Sequence, residues 1–237
     1  MAPSPHTAAL FSMRPPGRIP RSCPLGADEC PFFAELQRLQ EECQRLYQLS
    51  QTDPLTGLYN FRYFLSALEQ EMERTRRSGL PTGLIMMDLD FFKRVNDNYG
   101  HRGGDEALCW ACKTWGQNIR RIDILCRYGG EEFVLILPGT RLPQAIRTAE
   151  RLRVTLAESP VELNGQPVTI TASMGVDIYV LGETLSAEAF IHRTDQYLLE
   201  AKGKGRNRVC HRALGVTGET EGITTDERSA LFDLSRE

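Results

Sequence analysis

Two clusters of acidic residues carry the chemistry that this sequence offers. In the first, Glu131 and Glu132 directly follow the pair Gly129-Gly130, and short apolar runs flank all four residues. Paired glycines accept the positive φ values of tight primed turns, so the stretch predicts a β-hairpin with both carboxylates at its tip. Taken alone, the pattern favours a simpler interpretation, in which the charged tip is only a solvated turn.

The second cluster follows an apolar run at residues 83–87, which predicts a buried strand that ends at Asp88. Groups at a strand end are held by a rigid scaffold, which suits catalysis. The Asp88 carboxylate, the Leu89 carbonyl and a hairpin glutamate are hard oxygen donors that suit magnesium bound together with substrate phosphates. Asp88 and Asp90 could instead cap the following helix, and for Asp90 capping is at least as good an interpretation.

Further motifs stand in a fixed order around these clusters. They are Asp-Pro-Leu-Thr-Gly-Leu-Tyr-Asn at 53–60, the segment 88–105, Gly-Gly-Glu-Glu-Phe at 129–133, Thr-Ala-Ser-Met-Gly-Val at 171–176 and Ala-Lys-Gly-Lys-Gly-Arg-Asn-Arg at 201–208. This set resembles the GGDEF-domain diguanylate cyclases, in the GGEEF variant, over about residues 53–210. Phe61 stands where many members have arginine, and we expect little consequence.

The resemblance implies that the chain condenses two GTP molecules into cyclic di-GMP and releases two pyrophosphates, with Mg²⁺ as cofactor and Mn²⁺ able to substitute. The implied catalytic groups are Asp88, Lys93, Glu131 and Glu132, and the implied metal ligands are Asp88, the Leu89 carbonyl and Glu131. The implied phosphate contacts are Gly129, Gly130, the backbone amides near Phe91 and Phe92, and the side chains of Lys93, Lys202 and Arg206. Each of these lysines and arginines could instead be an ordinary surface charge.

By the same resemblance, Asn96 and Asp105 would select the base. Guanine presents N1–H and an amine that a carboxylate accepts, whereas adenine would leave the carboxylate unpaired, so we expect GTP to be preferred over ATP. Asp105 could alternatively cap a helix over residues 106–115.

Regulation is implied by Arg120 and Asp123, which match the product-inhibition motif, with Arg151 as a secondary arginine. As a bare pattern, Arg-x-x-Asp is weak and would more often be a surface ion pair. Cyclic di-GMP would then be both product and inhibitor. An alternative function is a catalytically silent GGDEF module that binds GTP or cyclic di-GMP as a receptor, although the complete motif set disfavours it. Another nucleotidyl transferase on the same core is disfavoured by Asp105.

The elements that must position these groups alternate between helices and strands, which predicts an α+β fold. The resemblance sharpens this to a ferredoxin-like antiparallel sheet flanked by helices, similar to nucleotidyl cyclases and polymerase palms. The predicted helices are 60–77, a region ending near 120, 143–158 and 187–201, the last capped by Ser186. The predicted strands are 82–88, the hairpin 123–137, one near 161 and one at 168–176.

We expect four regions along the chain. Residues 1–30 are rich in Pro and Arg and predict disorder. Residues 31–52 carry an apolar stripe, which predicts an amphipathic signalling helix that forms a homodimer or, equally, packs on its own domain. Residues 53–213 form the GGDEF domain, and 214–237 form a tail with a possible docking helix at 226–234.

Composition excludes several classes of protein. The net charge of −3 argues against a nucleic-acid-binding surface. The chain has 7 cysteines, an odd number, and most lie in apolar or helical contexts, which predicts reduced thiols and a cytoplasmic location. We expect no membrane span and no signal peptide. Cys23 and Cys30 match no zinc spacing and are interpreted as incidental thiols, with redox or metal input as the alternative hypothesis.

Overall fold

The computed structural model describes residues 33–49 and 51–213. The expectations for residues 1–30, for Cys23 and Cys30, and for the helix at 226–234 lie outside these residues. The chain divides into two units, before and after the boundary at Ser50 and Gln51. The described part of the first unit is helix α1 (Phe33–Leu49), on which Leu36, Leu39 and Leu46 are exposed.

The second unit is a sheet with helices on both faces. Its elements are α2 (Phe61–Ser78), β1 (Thr82–Leu89), α3 (Phe92–Gly116), β2 (Ile124–Gly129), β3 (Glu132–Leu137), α4 (Leu142–Glu158), β4 (Val161–Leu163), β5 (Gln166–Val168), β6 (Ala172–Tyr179), α5 (Ala187–Gly203) and β7 (Val209–His211). The main sheet has the order β2-β3-β1-β6-β7. Its first four strands are antiparallel, and β7 pairs with β6 in parallel.

This order confirms the predicted α+β, ferredoxin-like fold. Helix α3 connects β1 to β2 and helix α4 connects β3 to β6, and each connection crosses over a neighbouring strand of the sheet. The parallel edge strand β7 is an addition to the expected antiparallel sheet. No helix among the described residues has the length and apolar character needed to cross a bilayer.

Two predicted elements were wrong in their extent. The strand expected at 168–176 is two strands, because β5 pairs with β4 in a separate hairpin while β6 joins the main sheet. The helical region expected to reach residue 120 ends at Gly116, and it is broken at Gly100, where φ is 73° and ψ is 170°. Glycine adopts such a positive φ without steric cost, so the break falls there.

The central strand β1 is buried along its whole length. Ile85 and Met87 face the core formed with α3 and α4, whereas Leu84 and Met86 face the core formed with α2 and α5. Burying each such side chain contributes roughly 1.5–3 kcal/mol. Packing on both faces therefore fixes the end of β1, where Asp88 lies.

Candidate active site

The hairpin between β2 and β3 is present, but its turn lies one residue later than predicted. Gly129 pairs with Glu132, so the two turn residues are Gly130 and Glu131. Gly130 has a φ of 52°, which supplies the backbone conformation that the turn requires. A Cβ atom added at Gly129 or Gly130 would meet nothing within 4 Å, so this backbone is open to approach by a ligand.

The strand-end and hairpin carboxylates come together through strand register. Asp88 in β1 lies directly opposite Glu132 in β3, and the Leu89 N–H donates to the Glu131 carbonyl at 3.3 Å. Asp88 is buried, and its Oδ2 lies 2.7 Å from the Lys202 Nζ at the end of α5. Burial raises the pKa of Asp88 and the Lys202 ammonium opposes the shift, while Glu131 adds to it. Lys202 is therefore paired with Asp88 and is not an isolated surface charge.

The donor set fits magnesium that arrives with a nucleotide. Among the described residues, no group of three His, Cys, Asp or Glu side chains could hold a metal ion. Magnesium commonly uses only one or two protein carboxylates and completes its shell with substrate phosphates and water. Asp88, Glu131 and the Leu89 carbonyl supply such hard oxygen donors.

Asp90 holds neighbouring segments together, and its expected role as a helix cap is not found. Its oxygens accept hydrogen bonds from the Thr171 hydroxyl at 2.7 Å, the Ser173 hydroxyl at 2.6 Å and the Asn207 N–H at 2.9 Å. The residue at the N-cap of α3 is Phe91, which makes no side-chain capping bond. Capping by Asp88 or Asp90 was therefore wrong, and Asp90 instead ties the start of β6 and the 205–208 loop to the end of β1.

The break at Gly100 brings Asn96 against the second half of α3. A Cβ atom on Gly104 would lie 2.0 Å from the Asn96 Oδ1, so only glycine leaves room for this side chain. The next residue, Asp105, is exposed. Residues 101–104 precede it within the helix, so the interpretation of Asp105 as a helix cap was wrong. Asn96 therefore lies against Gly104, the residue that precedes Asp105 in the helix.

Arg127 on β2 is a site residue that the sequence analysis missed. Its Nη1 donates to both carboxylate oxygens of Asp53 at 3.1 Å, and its Nε and Nη2 donate to the Gly130 carbonyl at 3.0 and 2.8 Å. Although burial opposes it, hydrogen bonds from Thr56 and Arg127 hold the pKa of Asp53 below its ordinary value. The opening motif therefore anchors the β2–β3 hairpin.

The remaining residues expected to contact phosphate surround the start of α3. Lys93 is exposed, and the Phe92 side chain is buried in the core, which leaves only its backbone for a ligand. Phe91 is 49% exposed, and the Arg206 Cζ lies 4.5 Å from its ring centroid.

Residues 50–208 match the family model described as "Diguanylate cyclase, GGDEF domain". The chain belongs to the GGDEF family. The resemblance seen in the sequence is thereby confirmed.

Individual GGDEF proteins are similar over the same region. The response regulator PleD of Caulobacter vibrioides is 40% identical over 177 residues, which are 74% of this chain and 39% of PleD. The coiled coil and GGDEF domain of DgcB from Caulobacter crescentus, solved with cyclic di-GMP, has a TM-score of 0.71 and 29% identity, covering 76% of this chain and 94% of that one. The active GGEEF domain of a diguanylate cyclase from Vibrio cholerae has a TM-score of 0.60 and 34% identity, covering 64% and 96%. The chain thus spans about two fifths of PleD.

Asp195 is a further acidic residue whose charge reaches Glu132, and the sequence analysis did not name it. Burial raises the pKa of Glu132, and the charges of Asp88 and then of Asp195 raise it further. Asp195 lies on α5 seven residues before Lys202, which places both on one face of the helix. That spacing was the available signal.

The residues expected to bind product lie at the opposite end of β2 from the hairpin. The Arg120 N–H donates to the Asp123 Oδ2 at 2.8 Å, and Arg151 donates to the Asn118 carbonyl at 2.8 Å. Burial raises the pKa of Asp123, and the backbone hydrogen bond from Arg120 and the charges of Arg120 and Arg151 oppose that shift. The Asp123 Oδ1 is buried without a hydrogen-bond partner among the described residues. Within that part of the chain, Arg120 and Asp123 form a turn and no side-chain ion pair.

Proposed function

We propose that this chain is a diguanylate cyclase that condenses two GTP molecules into cyclic di-GMP and releases two pyrophosphates. The observation that carries the proposal is the register pairing of Asp88 with Glu132, which joins the strand end to the hairpin acids. Membership of the GGDEF family supports it, as does the match to an active GGEEF domain from Vibrio cholerae.

In each of two equivalent steps, the 3′-oxygen of one GTP forms a bond to the α-phosphorus of the other. The bond from that phosphorus to the bridging oxygen breaks, and pyrophosphate leaves. The 3′-hydroxyl proton must be removed, and Glu132 is the proposed acceptor because its raised pKa makes it a stronger base than an ordinary glutamate. Lys93, Lys202 and Arg206, with the open backbone of Gly129 and Gly130 and the amides of Phe91 and Phe92, would bind the phosphates.

Asp88, Glu131 and the Leu89 carbonyl would hold Mg²⁺ or Mn²⁺. When bound, the metal would neutralise phosphate charge and polarise the attacked phosphorus. Asn96 and Asp105 would select guanine, since the Asp105 carboxylate can accept the two donors that adenine lacks.

Two chains must act together, because each would present only one GTP. The exposed leucines of α1, at spacings of three and seven residues, support dimerisation through this helix. The cluster of Arg120, Asp123 and Arg151 would bind cyclic di-GMP and inhibit the enzyme. Because GTP is a cytoplasmic nucleotide, the activity requires a cytoplasmic location.

The test is incubation of the purified full chain with GTP and magnesium, followed by identification of the product by mass spectrometry. Asp88→Asn and Glu131→Gln should each abolish turnover while circular dichroism stays unchanged, because each removes a charged metal ligand. Glu162→Gln is the matched control, since Glu162 is an exposed acid on β4. If wild type bound GTP without forming cyclic di-GMP, the receptor alternative would replace this proposal. If either ligand variant stayed active, the metal assignment would be wrong.

A further inference from the structure

Phe91 combines two unusual properties at the turn between β1 and α3. Its φ is 55°, in the left-handed region that bulky residues rarely adopt. Its ring is 49% exposed, although Phe92 beside it is buried. Strained residues of this kind cluster at functional sites because the surrounding structure must hold them in place.

Two guanidinium groups lie over this ring. The Arg94 Cζ is 4.7 Å from the ring centroid, and the Arg206 Cζ is 4.5 Å from it. Both distances are within the range of cation–π attraction. Within the described part of the chain, neither guanidinium forms an ion pair with a carboxylate. Two cations therefore lie at one aromatic ring, and neither pairs with an acidic side chain in the described ranges.

Three separate segments build this arrangement. Arg94 lies one turn after Phe91, and its N–H donates to the Phe91 carbonyl at 2.8 Å. Arg206 lies in the closing loop, where it has a φ of 63°. The next residue, Asn207, is held by Asp90 at 2.9 Å and by Arg153 of α4 at 2.9 Å. The loop is thus fixed from two sides, which places Arg206 over the ring.

We propose that the Phe91 ring is a positioning platform that holds Arg94 and Arg206 for the triphosphate of the nucleotide, with Arg94 as an additional phosphate-binding residue. The inference rests on the proposed function for the identity of the nucleotide. A free arginine loses considerable rotamer entropy when it binds a ligand, and a ring that already orders the side chain reduces that loss. Guanidinium groups match phosphate oxygens in a bidentate geometry. The role belongs to the ring and is separate from the backbone amide contact expected at Phe91.

The test measures binding of a non-hydrolysable GTP analogue and of guanosine by calorimetry with the full chain. Phe91→Leu keeps apolar bulk but removes the ring, and it should weaken analogue binding roughly 5- to 30-fold, as loss of two exposed cation–π contacts implies. Guanosine binding should not change, because guanosine has no phosphates. Phe91→Tyr keeps an aromatic ring and should bind the analogue as tightly as wild type. Arg94→Gln removes one of the two cations and should weaken binding of the analogue. Arg147→Gln, which removes an exposed arginine on α4, should have no effect.

Two further variants distinguish the proposed platform from a purely structural role of Phe91. Phe91→Asn relaxes the backbone, because asparagine tolerates a positive φ, but it removes the ring. If Phe91→Asn or Phe91→Leu bound the analogue as tightly as wild type, the platform would be disproved. It would also be disproved if Phe91→Leu caused an equal loss in an Arg94→Gln, Arg206→Gln background, where the ring has no cation to hold. In turnover assays the Phe91→Leu loss should appear in KM more than in kcat. Failure of wild type to make cyclic di-GMP would overturn the proposed function alone, since the binding series does not depend on turnover.

Discussion

The Arg127 guanidinium joins Asp53 to the catalytic hairpin. It binds both Asp53 oxygens at 3.1 Å and the Gly130 carbonyl at 2.8 Å, although Asp53 and Arg127 are 74 residues apart in the chain. Both side chains are largely shielded from solvent. The conformation of the Gly130–Glu131 turn therefore depends on the segment that directly follows the first unit.

Asp53→Asn should lower cyclase activity strongly, because the weakened clamp frees the turn that carries Glu131. Loss of charge-assisted hydrogen bonds from a partly buried pair should also lower the free energy of unfolding by about 1–3 kcal/mol. Urea denaturation and pyrophosphate release would measure the two effects. Glu73→Gln removes an acid from an exposed pair with Arg76 and serves as the control. Wild-type activity in Asp53→Asn would contradict the clamp.

Gly104→Ala should raise the KM for GTP. The added methyl would overlap the Asn96 Oδ1, so the amide must rotate away from its position against Gly104. Steady-state kinetics with GTP and ATP would measure the change. Gly116→Ala is the control, because its Cβ would meet nothing within 4 Å. An unchanged KM in Gly104→Ala would remove Asn96 from the base site.

Glu183 should govern part of the acid sensitivity of the fold. It accepts hydrogen bonds from Arg193 at 3.1 Å and from Arg212 at 3.0 Å, and although burial opposes it, these bonds hold the pKa of Glu183 below its ordinary value. A lowered pKa stabilises the native state above the ordinary value, and this contribution is lost as the pH falls through the native pKa.

Glu183→Gln should therefore be less stable than wild type at pH 7, by about 1–3 kcal/mol. The gap should close in strongly acidic solution, where wild type has also lost its charge. Urea denaturation at a series of pH values would show this convergence. A gap that stayed constant with pH would mean that packing, and not charge, explains the loss.

Specific activity should rise with protein concentration if two chains form the catalytic unit. A Leu39→Glu, Leu46→Glu variant should shift this rise to higher concentration, because it places charge on the exposed stripe of α1. Gln37→Glu, on the other side of the helix, is the control. Sedimentation and activity measured on the same dilution series would test both points. Activity per mole that stayed flat through the monomer-to-dimer transition would contradict the prediction.

Arg120→Ala should relieve inhibition by cyclic di-GMP while initial rates persist, because Arg120 lies at the opposite end of β2 from the hairpin. Inhibition of wild type should be noncompetitive with GTP, since the two ligands occupy different sites. Pyrophosphate release across a titration of cyclic di-GMP would measure it. Arg121→Ala, its exposed neighbour, is the control. If cyclic di-GMP inhibited Arg120→Ala as strongly as wild type, Arg120 and Asp123 would form only a structural turn.

The family, the fold class and most element positions could be predicted from the sequence, because their signals are local. The apolar run before Asp88 indicates a buried strand by itself, and Ser186 caps α5 as predicted, accepting the Ala189 N–H at 3.2 Å. The hairpin was also predicted, but its turn was placed one residue early. Strand register decides which residues turn, and register depends on pairing across the whole sheet.

Contacts between distant segments were decided only by the tertiary structure. Nothing local distinguishes Asp90 from Asp88, yet packing of β6 and the closing loop surrounds Asp90 with three donors and leaves Asp88 to Lys202. Likewise, Arg127, Asp195 and the ring of Phe91 acquire their partners through the sheet and the packing of α5 and the loop after it. The sequence by itself determined which chemical groups are available, because motifs are contiguous. The fold decided which of them meet, because those distances are set by long-range packing.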